Sequence, residues 1–157
     1  MRLAERDVGP TGKVNSFESL PVNCTVLVRN LRDSKYANVV PVHAALSDES
    51  GQAQLYVSPG HSNHSLNPGY TDYQDTINVP AMSADDYLNI LVNPRVDFVK
   101  MDVEGSEIRV SKGMERTIAH SPKEISLDGV LVNPYRNQSN ETRNFICRKL
   151  DKGKKSH

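Results

Sequence analysis

Residues 96–105 read VDFVKMDVEG: an apolar run that ends on two carboxylates and a glycine. Valine and phenylalanine favour a pleated strand, predicted here from Val96 to Val103, and Gly105 permits a tight turn after it. Val110, Met114 and Ile118 then recur at i, i+4 spacing, which predicts a helix from Ser106 to His120 with one apolar side. A strand that turns straight into a helix is half of a β–α–β unit. Units of that kind cross over right-handedly and build a mostly parallel sheet covered on both faces.

The same alternation runs through the rest of the chain. Arg2 to Val8 reads as the last turns of a helix, which Gly9 to Gly12 punctuate. Lys13 to Glu18 reads as a short strand, and Pro21 suits the first turn of a helix that continues to Leu31 with Val26, Leu27 and Leu31 as a partial apolar face. Val39 to Leu46 is a buried type of strand, and Gln52 to Val57 alternates as a half-buried one. Ser58 to Asp75 is rich in Gly, Pro, Asn, Ser and His, and a stretch of that length without periodicity is more often a functional loop than a neutral connector. Ile77 to Met82 is a further strand. Ser83, with Asp86 three residues on, is a capping signal for a helix over Ala84 to Val92. Lys123 to Val130 reads as a strand, Asn133 to Asn140 as a polar loop and Thr142 to Leu150 as a last helix.

Composition narrows the function. Nineteen Lys and Arg balance nineteen Asp and Glu, which argues against a nucleic-acid binder that relies on a basic surface. No apolar run approaches the roughly 18 residues of a membrane span, and the first residues, MRLAE, carry no leader pattern. Cys24 and Cys147 lie far apart and form neither a disulfide framework nor a CxxC pair, which points to reduced thiols in the cytoplasm. The sequons at Asn23, Asn63, Asn137 and Asn140 then read as chance matches. His61 and His64 have no neighbouring carboxylate or cysteine, so a metal site is not expected.

Ligands of such sheets bind outside the carboxyl ends of the strands, so the acids on that rim are the candidates. Glu18 ends the first strand, where a carboxylate can take both hydroxyls of a ribose or remain a solvated charge. Asp102 and Glu104 point the same way from the clearest strand, a placement suited to proton transfer, to a metal ion or to an ammonium group. A preference of acids for a helix N-terminus explains Glu104 and Glu107, but not Asp102 in its apolar strand. Asp128 is a third rim acid, equally explained as a turn residue before Gly129.

VDFVKMDVEGSE resembles the signature of FkbM-type methyltransferases. Three further stretches match in order: GPTGKVNSFES, similar to the family's segment ending in Phe-Glu-Pro; NVVPVHAALSDESGQAQLYV, similar to its Ala-Leu-Ser-Asp segment; and VPAMSADDYL, similar to its Val-x-x-x-Thr-Leu-Asp segment. The resemblance covers about Gly9 to Asp128. It implies an α/β, Rossmann-like class I methyltransferase fold, a three-layer sandwich using S-adenosylmethionine to methylate a hydroxyl on a small-molecule or glycan acceptor. It further implies that Glu18 holds the cofactor ribose and that Ala45, Leu46 and Ser47 lie near the adenine. Asp102 and Glu104 are then the catalytic acids, Gly105 shapes their turn beside the cofactor, and Asn63, Ser65 and Asp128 face the substrate. Whether Asp102 takes a proton or holds the cofactor's ammonium stays open.

The family's first strand ends in an acidic, glycine-rich turn followed by a helix, and eight residues precede Gly9 here. Ser19 stands where the family has proline, and Ser111 where an apolar residue packs. The expectation is a single partial domain over residues 1–150, without that glycine-rich strand or the final strand hairpin, followed by a disordered tail over 151–157. Such a chain would be inactive alone and would self-associate through exposed sheet edges. The alternative from another class is a non-catalytic binding or interaction module on the same fold. A flavodoxin-like nucleotide binder lacks its phosphate loop here.

Overall fold

The computed structural model describes residues 12–33, 37–59, 64–70, 72–120, 124–127, 130–132 and 147–149. Their elements run β1 (Val14–Phe17), α1 (Pro21–Asp33), β2 (Val39–Val42), β3 (Ala45–Leu46), β4 (Gly51–Val57), β5 (Asp75–Met82), α2 (Ala84–Ile90), β6 (Phe98–Met101), α3 (Glu107–Lys112), α4 (Glu115–His120), β7 (Glu124–Leu127), β8 (Val130–Val132) and β9 (Cys147–Lys149). The α/β class and the alternation read from the sequence are present.

The expected mostly parallel sheet is not. Among the described residues the strands form three sheets: β1–β2, β3–β5–β4 and β6–β7–β8–β9. β1–β2, β3–β5 and β6–β7 are parallel, while β4–β5, β7–β8 and β8–β9 are antiparallel. The single strand expected over 39–46 is broken, and its halves join different sheets. Ala44 N–H turns back to the Val42 carbonyl at 3.1 Å, and Pro41 has no N–H to extend a ladder. Residues 147–149, expected in a helix, pair with β8 instead (Val132 opposite Cys147), a case of tertiary pairing overriding a short local preference.

Two apolar clusters hold the layers together. Met101, Val110 and Met114 pack with Leu46, Ala84, Val99, Val103 and Ile118. Ala45, Leu55, Leu66 and Val79 pack with Leu20, Ala53 and Ile77. The stripe Val110–Met114–Ile118 is therefore inward as expected. On α1 the inner face is Cys24, Leu27, Val28 and Leu31, and Val26 is half exposed rather than inward.

Helix ends show how the layers lock. Ser83 caps α2, its hydroxyl accepting from Asp86 N–H at 3.1 Å. The Asp86 carboxylate bonds the Ser83 hydroxyl but leaves the Ser83 N–H to Ser50. It also accepts from Ser50 Oγ, whose oxygen in turn accepts from Ser83 N–H at 3.1 Å, so Ser50, just before β4, completes the box. The helix expected over 106–120 is two helices. A β-carbon on Gly113 would run into the Ser47 carbonyl, and Asp85 of α2 accepts from Arg116 and Thr117 N–H, both at 2.9 Å, restarting the helix as α4. Burial pushes the Asp85 carboxyl up, but the Thr117 hydroxyl, these two backbone donors and the Arg116 charge outweigh it and hold it below its ordinary value. Among the described residues no helix is long and apolar enough to cross a membrane.

Candidate functional site

The carboxyl ends of β1, β3 and β6 open onto one cleft of about 240 Å³. Glu18 stands on its rim just past β1. Its N–H donates to the Val42 carbonyl at 3.0 Å and its Oε1 accepts from Leu20 N–H at 2.9 Å, so backbone groups aim the side chain before any ligand arrives. Ala45 and Leu46 of β3, with Leu55 and Leu66, make an apolar floor. Asp102 and Glu104 close the far side. The Asp102 carboxylate meets Lys100 Nζ at 3.2 Å, with both side chains half exposed, a pair worth about 0–1 kcal/mol at such a site.

The turn after Asp102 is unusual. Glu104 has φ of 48° and Gly105 of 82°, and a non-glycine residue in that region marks local strain of the kind found at functional sites. Three contacts hold it. Ser65 Oγ donates to the Glu104 carbonyl at 2.5 Å, Gly105 N–H donates to Glu107 Oε1 at 3.1 Å, and the Tyr70 ring lies on Gly105 where a side chain would collide with it.

Of the residues singled out in the sequence, Glu18, Ala45, Leu46, Asp102 and Glu104 come together on the cleft. Ser47, Ser65 and Gly105 do not line it. The Ser47 hydroxyl donates to Asp48 at 2.8 Å, and that bond, ahead of the Arg109 guanidinium, holds the Asp48 carboxyl below its ordinary value despite some burial. Ser65 is buried and joins the loop to β4 by paired backbone bonds with Tyr56. Gly105 supports the turn from behind. Asn63 and Asp128 lie outside the described residues.

Among the cleft-wall residues that sequence reasoning missed are His64 and Ser106. His64 had a signal only as a metal-spaced partner of His61, and Ser106 only as the start of a helix. Among the described residues no three His, Cys, Asp or Glu side chains converge as a metal site. A larger groove of about 660 Å³ runs along α1 past Cys24, Arg29, Arg32 and His43. It flanks a helix instead of facing strand ends, and none of the described rim acids, Glu18, Asp102 and Glu104, lines it, so the smaller cleft is the stronger candidate.

Residues 1–148 match the family model described as the methyltransferase FkbM domain. Among solved structures, the crystal structure of methyltransferase FkbM from Methylobacillus flagellatus KT matches at 18% identity and a TM-score of 0.48, covering 74% of this chain. This chain spans 26% of the length of that one. No curated protein matches the chain.

Proposed function

Because the chain belongs to the FkbM methyltransferase family, we propose that its cleft is the cofactor end of an O-methyltransferase site for a sugar or small-metabolite hydroxyl, with S-adenosylmethionine as methyl donor. What carries the reading is the convergence of Glu18, Ala45, Leu46, Asp102 and Glu104, drawn from three separate strand ends, on one cleft. The donor set fits the cofactor: carboxylates for hydroxyl and ammonium groups, and an apolar floor for a flat ring. S-adenosylmethionine, when bound, supplies a methyl group activated by a positive sulfur. Glu18 keeps Oε2 for the ribose hydroxyls while Oε1 stays with Leu20 N–H. Asp102 takes one of two roles, accepting the proton of the acceptor hydroxyl or holding the cofactor's ammonium. The strained turn at Glu104 sets where that carboxylate stands. The setting we assign is the cytoplasm, on the two widely separated cysteines.

The 240 Å³ cleft is smaller than the roughly 300–1,000 Å³ of pockets that enclose drug-sized ligands, and among the described residues no glycine lines it to let backbone come close. The 157-residue chain by itself is therefore expected to hold the cofactor weakly and to transfer no methyl groups. Titration calorimetry with S-adenosylhomocysteine tests this. The expected dissociation constant is weaker than roughly 10 μM, and Glu18→Gln weakens it about tenfold further. Tighter binding contradicts the open cleft, and unchanged affinity in Glu18→Gln removes Glu18 from the site.

A further inference from the structure

Among the described residues, two buried polar atoms of the cleft wall have no partner: His64 Nε2 and Ser106 Oγ. Ser106 is 2% exposed. Folded proteins leave few such atoms unpaired, because each forfeits its bonds to water. Two on one cleft wall point to a ligand group that satisfies them.

The tautomer of His64 says what that group is. Ser58 backbone N–H donates to His64 Nδ1 at 3.2 Å, and an amide N–H cannot reverse its role. Nδ1 therefore carries no proton, and in the neutral ring the proton sits on Nε2. His64 thus offers the cleft an N–H donor, not a base. The cleft's three carboxylates, Glu18, Asp102 and Glu104, offer acceptors, so a ligand lying among them meets its complementary donor at His64. The floor beside it is apolar, from Ala45, Leu46, Leu55 and Leu66. A group with apolar faces and lone pairs in its own plane fits both features, and a purine base is such a group.

We propose that His64 and Ser106 read the edge of a purine base in this cleft, His64 Nε2–H donating to one ring nitrogen and the Ser106 hydroxyl bonding beside it. The proposal rests on the reading of the cleft as a cofactor site and deepens it. His64 is then a specificity residue, and Ser58 is what holds it in the donating tautomer.

The test titrates adenosine and its 1-, 3- and 7-deaza analogues into the 157-residue chain at up to millimolar concentration, read by NMR. One analogue is expected to bind about tenfold more weakly than adenosine, the loss of one hydrogen bond. In His64→Leu that difference vanishes, and in His64→Gln, which keeps an N–H near the same place, most of it remains. Ser106→Ala is expected to leave the melting temperature unchanged or higher, since it removes an unpaired hydroxyl, and yet to weaken adenosine several-fold. A structural serine would lower the melting temperature instead. If His64→Leu fails to fold, Ser106→Ala carries the test. Adenosine binding with no analogue distinguished, or a difference that persists in His64→Leu, overturns the proposal alone. No adenosine binding at all overturns the cofactor reading and this proposal with it.

Discussion

Gly113→Ala is expected to lower the melting temperature by roughly 6–12 °C, on an overpacking loss of about 3 kcal/mol. The added β-carbon would meet the Ser47 carbonyl oxygen head on, with Ser47 C at 2.9 Å and Asp48 Cα at 3.2 Å. These are backbone atoms and cannot swing aside. Ser47 N–H is bonded to the Met82 carbonyl at 3.0 Å, and Asp48 is held by Arg109 at 3.0 Å, so the end of β3 is tied on both sides. The backbone of Gly113 is unstrained, with φ of −72°, so the whole loss comes from contact. Gly69→Ala is the control: its β-carbon would meet only Asn67 Oδ1 at an ordinary 3.6 Å, and a change within about 0.5 kcal/mol is expected. Thermal unfolding followed by circular dichroism measures both. A Gly113→Ala chain that melts within about 2 °C of the parent means that β3 and the α3–α4 junction are not packed this closely.

Asp102→Asn has the largest expected effect on chemistry. In a preparation containing this domain that transfers methyl groups, kcat/KM is expected to fall about 10²-fold, with the fold intact. The side chain is half exposed and its pair with Lys100 contributes little, so unfolding should move by less than about 1 kcal/mol. The split between constants separates its two roles. A fall in kcat at saturating cofactor means Asp102 takes the acceptor's proton, and a rise in cofactor dissociation constant with kcat kept means it holds the ammonium. Neither change would remove Asp102 from the site.

The elements that set the site were legible where the signal is local. The apolar run into Asp102 and the glycine behind it specify a strand and a turn through side-chain shape and backbone freedom alone, and β6 and the 104–105 turn stand there. The spacing of Val110, Met114 and Ile118 identified the inner face of the helical segment. It did so across a break at Gly113, where the glycine is a local stop signal but the contacts that require it come from Ser47 and Asp85, both far off in sequence. Sheet pairing was legible least. Whether β5 runs with β3 and against β4 depends on partners separated by long connections, and a pattern of strands and helices leaves that choice open.

The cleft shows the same division. Glu18 and Asp102 stand at strand ends, so the rim rule finds them. Ser65, which the resemblance implies faces the substrate, also bonds the Glu104 carbonyl 39 positions away, a contact no local pattern announces. His64 was invisible as a donor, because its tautomer follows from a hydrogen bond to Ser58 that only the folded loop makes.

The central claim is the place of cofactor binding, and a residue-resolved NMR titration of the 157-residue chain with S-adenosylhomocysteine tests it most directly. Shift changes are predicted at Phe17–Ser19, Ala45–Leu46, His64–Leu66 and Asp102–Ser106, the segments that meet at the 240 Å³ cleft. Changes centred instead on Cys24, Arg29, Arg32 and His43, along the larger groove, would contradict the account, as would none at millimolar ligand.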